Sequence, residues 1–152
     1  VSLMARDRGG IIPRRQILIY PAVWNDHNPE TTLFESVREN GAGYLLTSKR
    51  ICDYMDLYTE RGEDRQSPYF APLLAEDLSN QPDTLVVTAQ MDPLRDEGEA
   101  YGERLREAGS DVEIHRIPDA LHGFITLPLR FSPVRHTYRI IGRFLSRTEN
   151  ST

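Results

Sequence analysis

Cys52 is the only cysteine among 152 residues, so no disulfide can form within the chain. A reducing compartment fits, and a cytoplasmic location is the expectation. No run approaches the ~18 consecutive apolar residues that a membrane helix needs, and no charged-then-apolar signal segment opens the sequence. Cys, His and carboxylate residues nowhere fall at metal-ligand spacing, so neither a metal site nor a cofactor is expected. No glycine-rich phosphate loop follows an apolar run, which weakens a flavodoxin-like ligand-binding reading. Positive charge is short as well. The net charge is −5, which argues against a nucleic-acid partner. The cluster Arg6, Arg8, Arg14 and Arg15 has no interleaved aromatic residues for base stacking and reads as a solvated helix end and loop. Neither an initiator methionine nor a helix-start signal precedes Val1-Ser2-Leu3-Met4, which reads as the end of an amphipathic helix closed by Gly9-Gly10. The chain is therefore expected to begin inside an element.

The residues present are enough for one domain with a real core. Gln16 to Tyr20, Leu85 to Ala89 and Val112 to Ile117 are short apolar runs that read as buried strands, the third broken by Pro118. Between Phe34 and Arg61, apolar residues at Leu45, Ile51, Met55 and Tyr58 predict one or two helices, with Thr47 or Ser48 as a cap. Pro68, Pro72 and Pro82 make 62–82 mostly loop, with a short turn near Leu73-Leu74. A helix is predicted from Asp96 to Ala108, with Glu97, Tyr101, Leu105 and Ala108 on one face and Gly109 as its stop. The last helix carries the stripe Val134, Tyr138, Ile141 and Leu145, and the polar tail 148–152 is expected to fray. Strands separated by helices imply an α/β fold with a parallel, helix-covered sheet of about three strands.

The most informative feature is an acid after one strand and a histidine after the next. Asp92 follows the second strand and His122 the third, an order that can orient an imidazole as a general base. Asp92 is equally readable as a turn or helix-capping aspartate, and the residues alone leave both open. Asp96 reads as the helix N-cap. His122 lies in a loop with Gly123 beside it. His27, His115 and His136 read as surface residues, in a polar loop, on an outward strand position and off the last helix's stripe.

Asp92-Pro93-Leu94-Arg95-Asp96-Glu97-Gly98, with Tyr101 and the Arg104 to Gly109 helix end, resembles the hormone-sensitive-lipase-like branch of the α/β-hydrolases. So do His122-Gly123-Phe124, Leu18-Ile19-Tyr20-Pro21, Gly43 to Thr47 and Ser67-Pro68 through Ala71-Pro72-Leu73. The resemblance implies that residues 1–147 are the carboxyl-terminal part of an α/β-hydrolase domain. It also implies that Asp92 is the triad acid and His122 the triad base of a carboxylic-ester hydrolase, in the family order Ser, Asp, His. A small-molecule ester is then the substrate of the full-length parent. One departure is local: the glycine usual a few residues before the histidine is missing from Pro118-Asp119-Ala120-Leu121. The larger one is that no Gly-x-Ser-x-Gly and no His-Gly-Gly-Gly occurs. Ser36, Ser67 and Ser132 fall in loops or helix starts rather than on a strand-to-helix elbow. The nucleophile and oxyanion hole are thus expected upstream, the chain being cut inside the nucleophile helix and inactive alone. With part of the sheet missing, self-association through an open edge at 16–20 is expected, making a homo-oligomer. The alternative is a complete non-catalytic α/β interaction module in which Asp92 and His122 are relics.

Overall fold

The computed structural model describes residues 1–11, 13–59 and 62–147; the tail at 148–152 lies outside them. Three strands, β1 (Arg15–Ile19), β2 (Asp83–Met91) and β3 (Val112–Leu121), form one parallel sheet in the order β1-β2-β3. The helices are α1 (Ser2–Asp7), α2 (Glu35–Asn40), α3 (Ser48–Tyr58), α4 (Arg95–Glu107) and α5 (Ser132–Ser146).

The central strand explains why its sequence is a continuous apolar run. Alternate residues of a strand face opposite ways. Val86 packs with Tyr101 and Leu105 of α4, while Leu85, Val87 and Ala89 pack with Val134, Ile140 and Phe144 of α5. Both faces are covered, so every side chain from Thr84 to Ala89 is buried. Each Leu or Val so buried contributes roughly 1.5–3 kcal/mol. Gly102 lets α4 lie close to the sheet, since a Cβ there would meet Ile114 Cδ1 at 2.8 Å.

Local signals behave as their chemistry requires. Thr47 caps α3, its hydroxyl accepting from Arg50 N at 3.2 Å. Gly9 at φ 67° ends α1, and Gly109 at φ 99° ends α4. Other expectations are corrected. Pro118 does not end β3. The register runs Ala89 opposite Ile117 and then Met91 opposite Leu121, so the extra residues bulge out on an edge strand. There proline's missing N–H costs little, and Asp119, at φ 54°, donates its N–H to Gln90 Oε1 instead. In α5 the buried positions are Val134, Thr137, Ile140 and Phe144; Tyr138 and Leu145 are about half exposed. The phenyl ring of Phe144 fills the sheet-facing position, and Thr137 tolerates burial because its hydroxyl bonds Pro133 O at 2.9 Å. In α3 Ile51 and Met55 are buried and Tyr58 is exposed, as is Leu45 in the segment before the helix.

Candidate active site

β2 and β3 end side by side, and each delivers one polar residue just past its carboxyl end. Asp92 follows Met91 and is completely buried. Its two oxygens have separate tasks. Oδ1 accepts from Leu94 N at 2.9 Å, closing the turn into α4, and Oδ2 lies 2.8 Å from His122 Nδ1. The turn contact and the imidazole contact, both open from the sequence, are thus both made by the one carboxylate.

His122 follows Leu121 of β3, and Gly123 at φ 82° turns the chain away beside it. An ionised carboxylate can only accept, so Nδ1 carries the hydrogen and Nε2 is left with its lone pair. The imidazole is held from the side by Tyr20, ring centroids 4.4 Å apart, with Phe124 behind Tyr20 at 5.9 Å. Tyr20 itself sits at φ 38°, unusual for a bulky residue, at the end of β1. Burial, and then the charge of Asp92, push its phenol above the ordinary value. It is a neutral contact, not a second base.

The His122 side chain keeps 26% of its surface exposed and borders a cavity of about 580 Å³. The wall comes from Tyr20, Trp24, Ile51, Met55, Tyr58, Phe70 and Leu94 among others, and among the described residues no Asp, Glu, Lys or Arg lines it. A second hollow of about 260 Å³ lies beyond His122, against Leu45, Leu121, Phe124 and Leu127.

The other expected residues fall out differently. Asp96 does not cap α4. Its carboxylate accepts from Ser36 N in the first turn of α2 at 2.8 Å and from Arg95 Nε at 2.7 Å. Burial raises Asp96, but the hydrogen bonds from Arg95 and Ser36 outweigh it and hold the carboxyl below its ordinary value. The Ser36 hydroxyl is buried and donates to Pro93 O at 2.8 Å. His136 is exposed on α5, and His115 is half-buried beside Glu113 at 3.1 Å. His27 is the clear correction: expected on the surface, it is 1% exposed and paired with buried Glu97 at 2.5 Å. The signal was in the helix pattern, since an acid on the apolar face of α4 demands a buried partner. Among the described residues no group of three or more His, Cys, Asp or Glu could hold a metal ion.

The sequence model of the α/β-hydrolase fold matches residues 1–126. The chain belongs to the α/β-hydrolase family. It is 38% identical over 128 residues to an arylesterase of Saccharolobus solfataricus, covering 84% of this chain and 40% of that protein. To a carboxylic ester hydrolase of Mycobacterium tuberculosis it is 39% identical over 132 residues, covering 84% of this chain and 34% of the relative. A thermostable esterase from Pseudomonas putida superposes with a TM-score of 0.86 at 31% identity, covering 97% of this chain and 47% of that one. The chain thus spans between a third and a half of the length of these relatives. In this α/β-hydrolase, Asp92 and His122 stand beyond the carboxyl ends of parallel strands, where open α/β sheets gather their sites.

Proposed function

We propose that the chain supplies the acid and base of a Ser-Asp-His triad in a carboxylic-ester hydrolase. The observation that carries this reading is the contact of buried Asp92 with His122, at 2.8 Å, on the rim of an apolar cavity. Relatives named arylesterase and carboxylic ester hydrolase support it over a non-catalytic interaction module.

A serine outside this sequence attacks the ester carbonyl. Nε2 of His122 takes the hydroxyl proton and later returns it to the leaving alcohol, while Asp92 holds the tautomer and stabilises the imidazolium. Backbone amides, also outside this sequence, stabilise the oxyanion. The ring-rich cavity suits a neutral ester with an apolar acyl or alcohol group, because a charged group would lose its water there and find no ionic partner among the described lining residues.

Alone, the chain is inactive in this reading, since it contains no Gly-x-Ser-x-Gly elbow. Assaying it against nitrophenyl acetate and butyrate, beside a His122→Ala control, tests the assignment. No turnover is expected. Saturable turnover that vanishes in the control would mean that a serine of this chain is the nucleophile. β1 pairs only with β2 among the described residues, and its outer edge is the proposed route of self-association. A well-behaved monomer by sedimentation at high concentration would rule that route out.

A further inference from the structure

Glu97 is fully buried on the core-facing side of α4, and the loop after β1 uses its whole carboxylate. Oε1 accepts from the backbone N–H of Val23 at 2.7 Å and of Trp24 at 3.2 Å. Oε2 lies 2.5 Å from Nε2 of His27, a residue 1% exposed whose Nδ1 has no hydrogen-bond partner among the described residues. Three of the five residues from Val23 to His27 therefore converge on one carboxylate. Within that span stands Trp24, edge-on to Phe34 at 5.9 Å and part of the wall of the cavity that His122 borders.

The acid–base chemistry of Asp92 and His122 makes no use of this pair. Keeping an acid and an imidazole at essentially zero exposure is unfavourable next to a packed apolar substitute. What the pair supplies is geometry. Three donors from one short loop converge on one acceptor, which leaves the loop a single position relative to α4.

We propose that His27, acting through Glu97, is a positioning residue for the cavity: it locks the Val23–His27 loop onto α4 and so holds the Trp24 indole in the wall. This use of the wall rests on the esterase reading of the site.

Trp24 is the only tryptophan, so its emission reports this loop alone. In the chain itself, His27→Leu is expected to red-shift that emission and to raise acrylamide quenching about twofold, with the cooperative melt retained. His27→Gln, whose amide N–H can replace Nε2–H, is expected to keep the native emission. A folded His27→Leu chain with unchanged emission and quenching overturns the proposal, and so does His27→Gln moving as far as His27→Leu. If His27→Leu does not fold, His27→Gln decides: native emission supports the role and displaced emission sinks it. In the longer protein carrying the serine, His27→Leu should raise KM for nitrophenyl butyrate about tenfold and leave kcat nearly unchanged. A loss confined to kcat marks mere scaffolding and overturns the proposal. Absence of turnover in the unmodified longer protein would strike the esterase reading while the Trp24 result still stood.

Discussion

Asp92 and Glu97 lie five residues apart, each meets an imidazole, and the two pairs are built for opposite ends. His122 is partly exposed at the edge of a cavity and has one ring nitrogen free of the acid. His27 is sealed, with no exposed side-chain surface, as is Glu97. The donor–acceptor chemistry is the same in both. Surroundings separate them: a general base must reach a proton outside itself, and a buried imidazole cannot. The first pair sits at the mouth of the sheet, where strands end and the chain turns away. The second sits in the first turn of α4, where the loop after β1 folds over it.

That contrast can be broken most sharply at the exposed pair. In a protein that carries this chain with its serine, His122→Ala should abolish hydrolysis of a short-chain nitrophenyl ester. Asp92→Asn should lower kcat by on the order of 10⁴, because the amide stabilises the wrong tautomer. If Asp92→Asn leaves kcat intact, the exposed pair is ornament and the assignment fails.

At the sealed pair the expected effect moves from rate to stability. Glu97→Ala strands two backbone N–H groups and His27 without an acceptor, at a cost of about 3 kcal/mol in urea unfolding. A change below about 0.5 kcal/mol would show that water replaces the carboxylate and that burial is not what separates the pairs.

The smallest effect belongs to a third carboxylate, Asp96, which lies beside Glu97 in the first turn of α4 and has no imidazole. Asp96→Ala should cost about 1 kcal/mol through the lost contact to the first turn of α2. Its carboxyl is held below the ordinary value, so this stabilisation is present above the unfolded pKa near 3.8 and is lost as pH falls through the folded value. Wild type and variant should therefore differ at pH 7 and converge in acid. A gap that widens in acid would contradict the sign.

Some of this was legible in the residues because it is local. The apolar run at 85–89, the glycine stops at Gly9 and Gly109 and the Thr47 cap each depend on a few neighbouring positions. Asp92 and His122 were readable as candidates because both immediately follow strands. Where the expectation slipped, a distant element had intervened. Asp96 was expected to cap α4, and its carboxylate instead meets the start of α2, sixty residues earlier in the chain. The stripe of α5 was set by which side chain fits the sheet, and Pro118 was absorbed by an edge bulge that only the pairing with β2 defines.

By itself, then, the sequence determined the parallel α/β layering, the position of the apolar strand cores and the identity of the acid and base candidates. Periodicity and turn chemistry act over a few residues and are written in the order of the chain. Only the tertiary structure decided that Asp92 touches His122, that His27 is buried, and that aromatic residues between 20 and 70 close on one cavity. Those outcomes rest on contacts between residues 30 to 70 positions apart, which exist only once the sheet and its helices have packed.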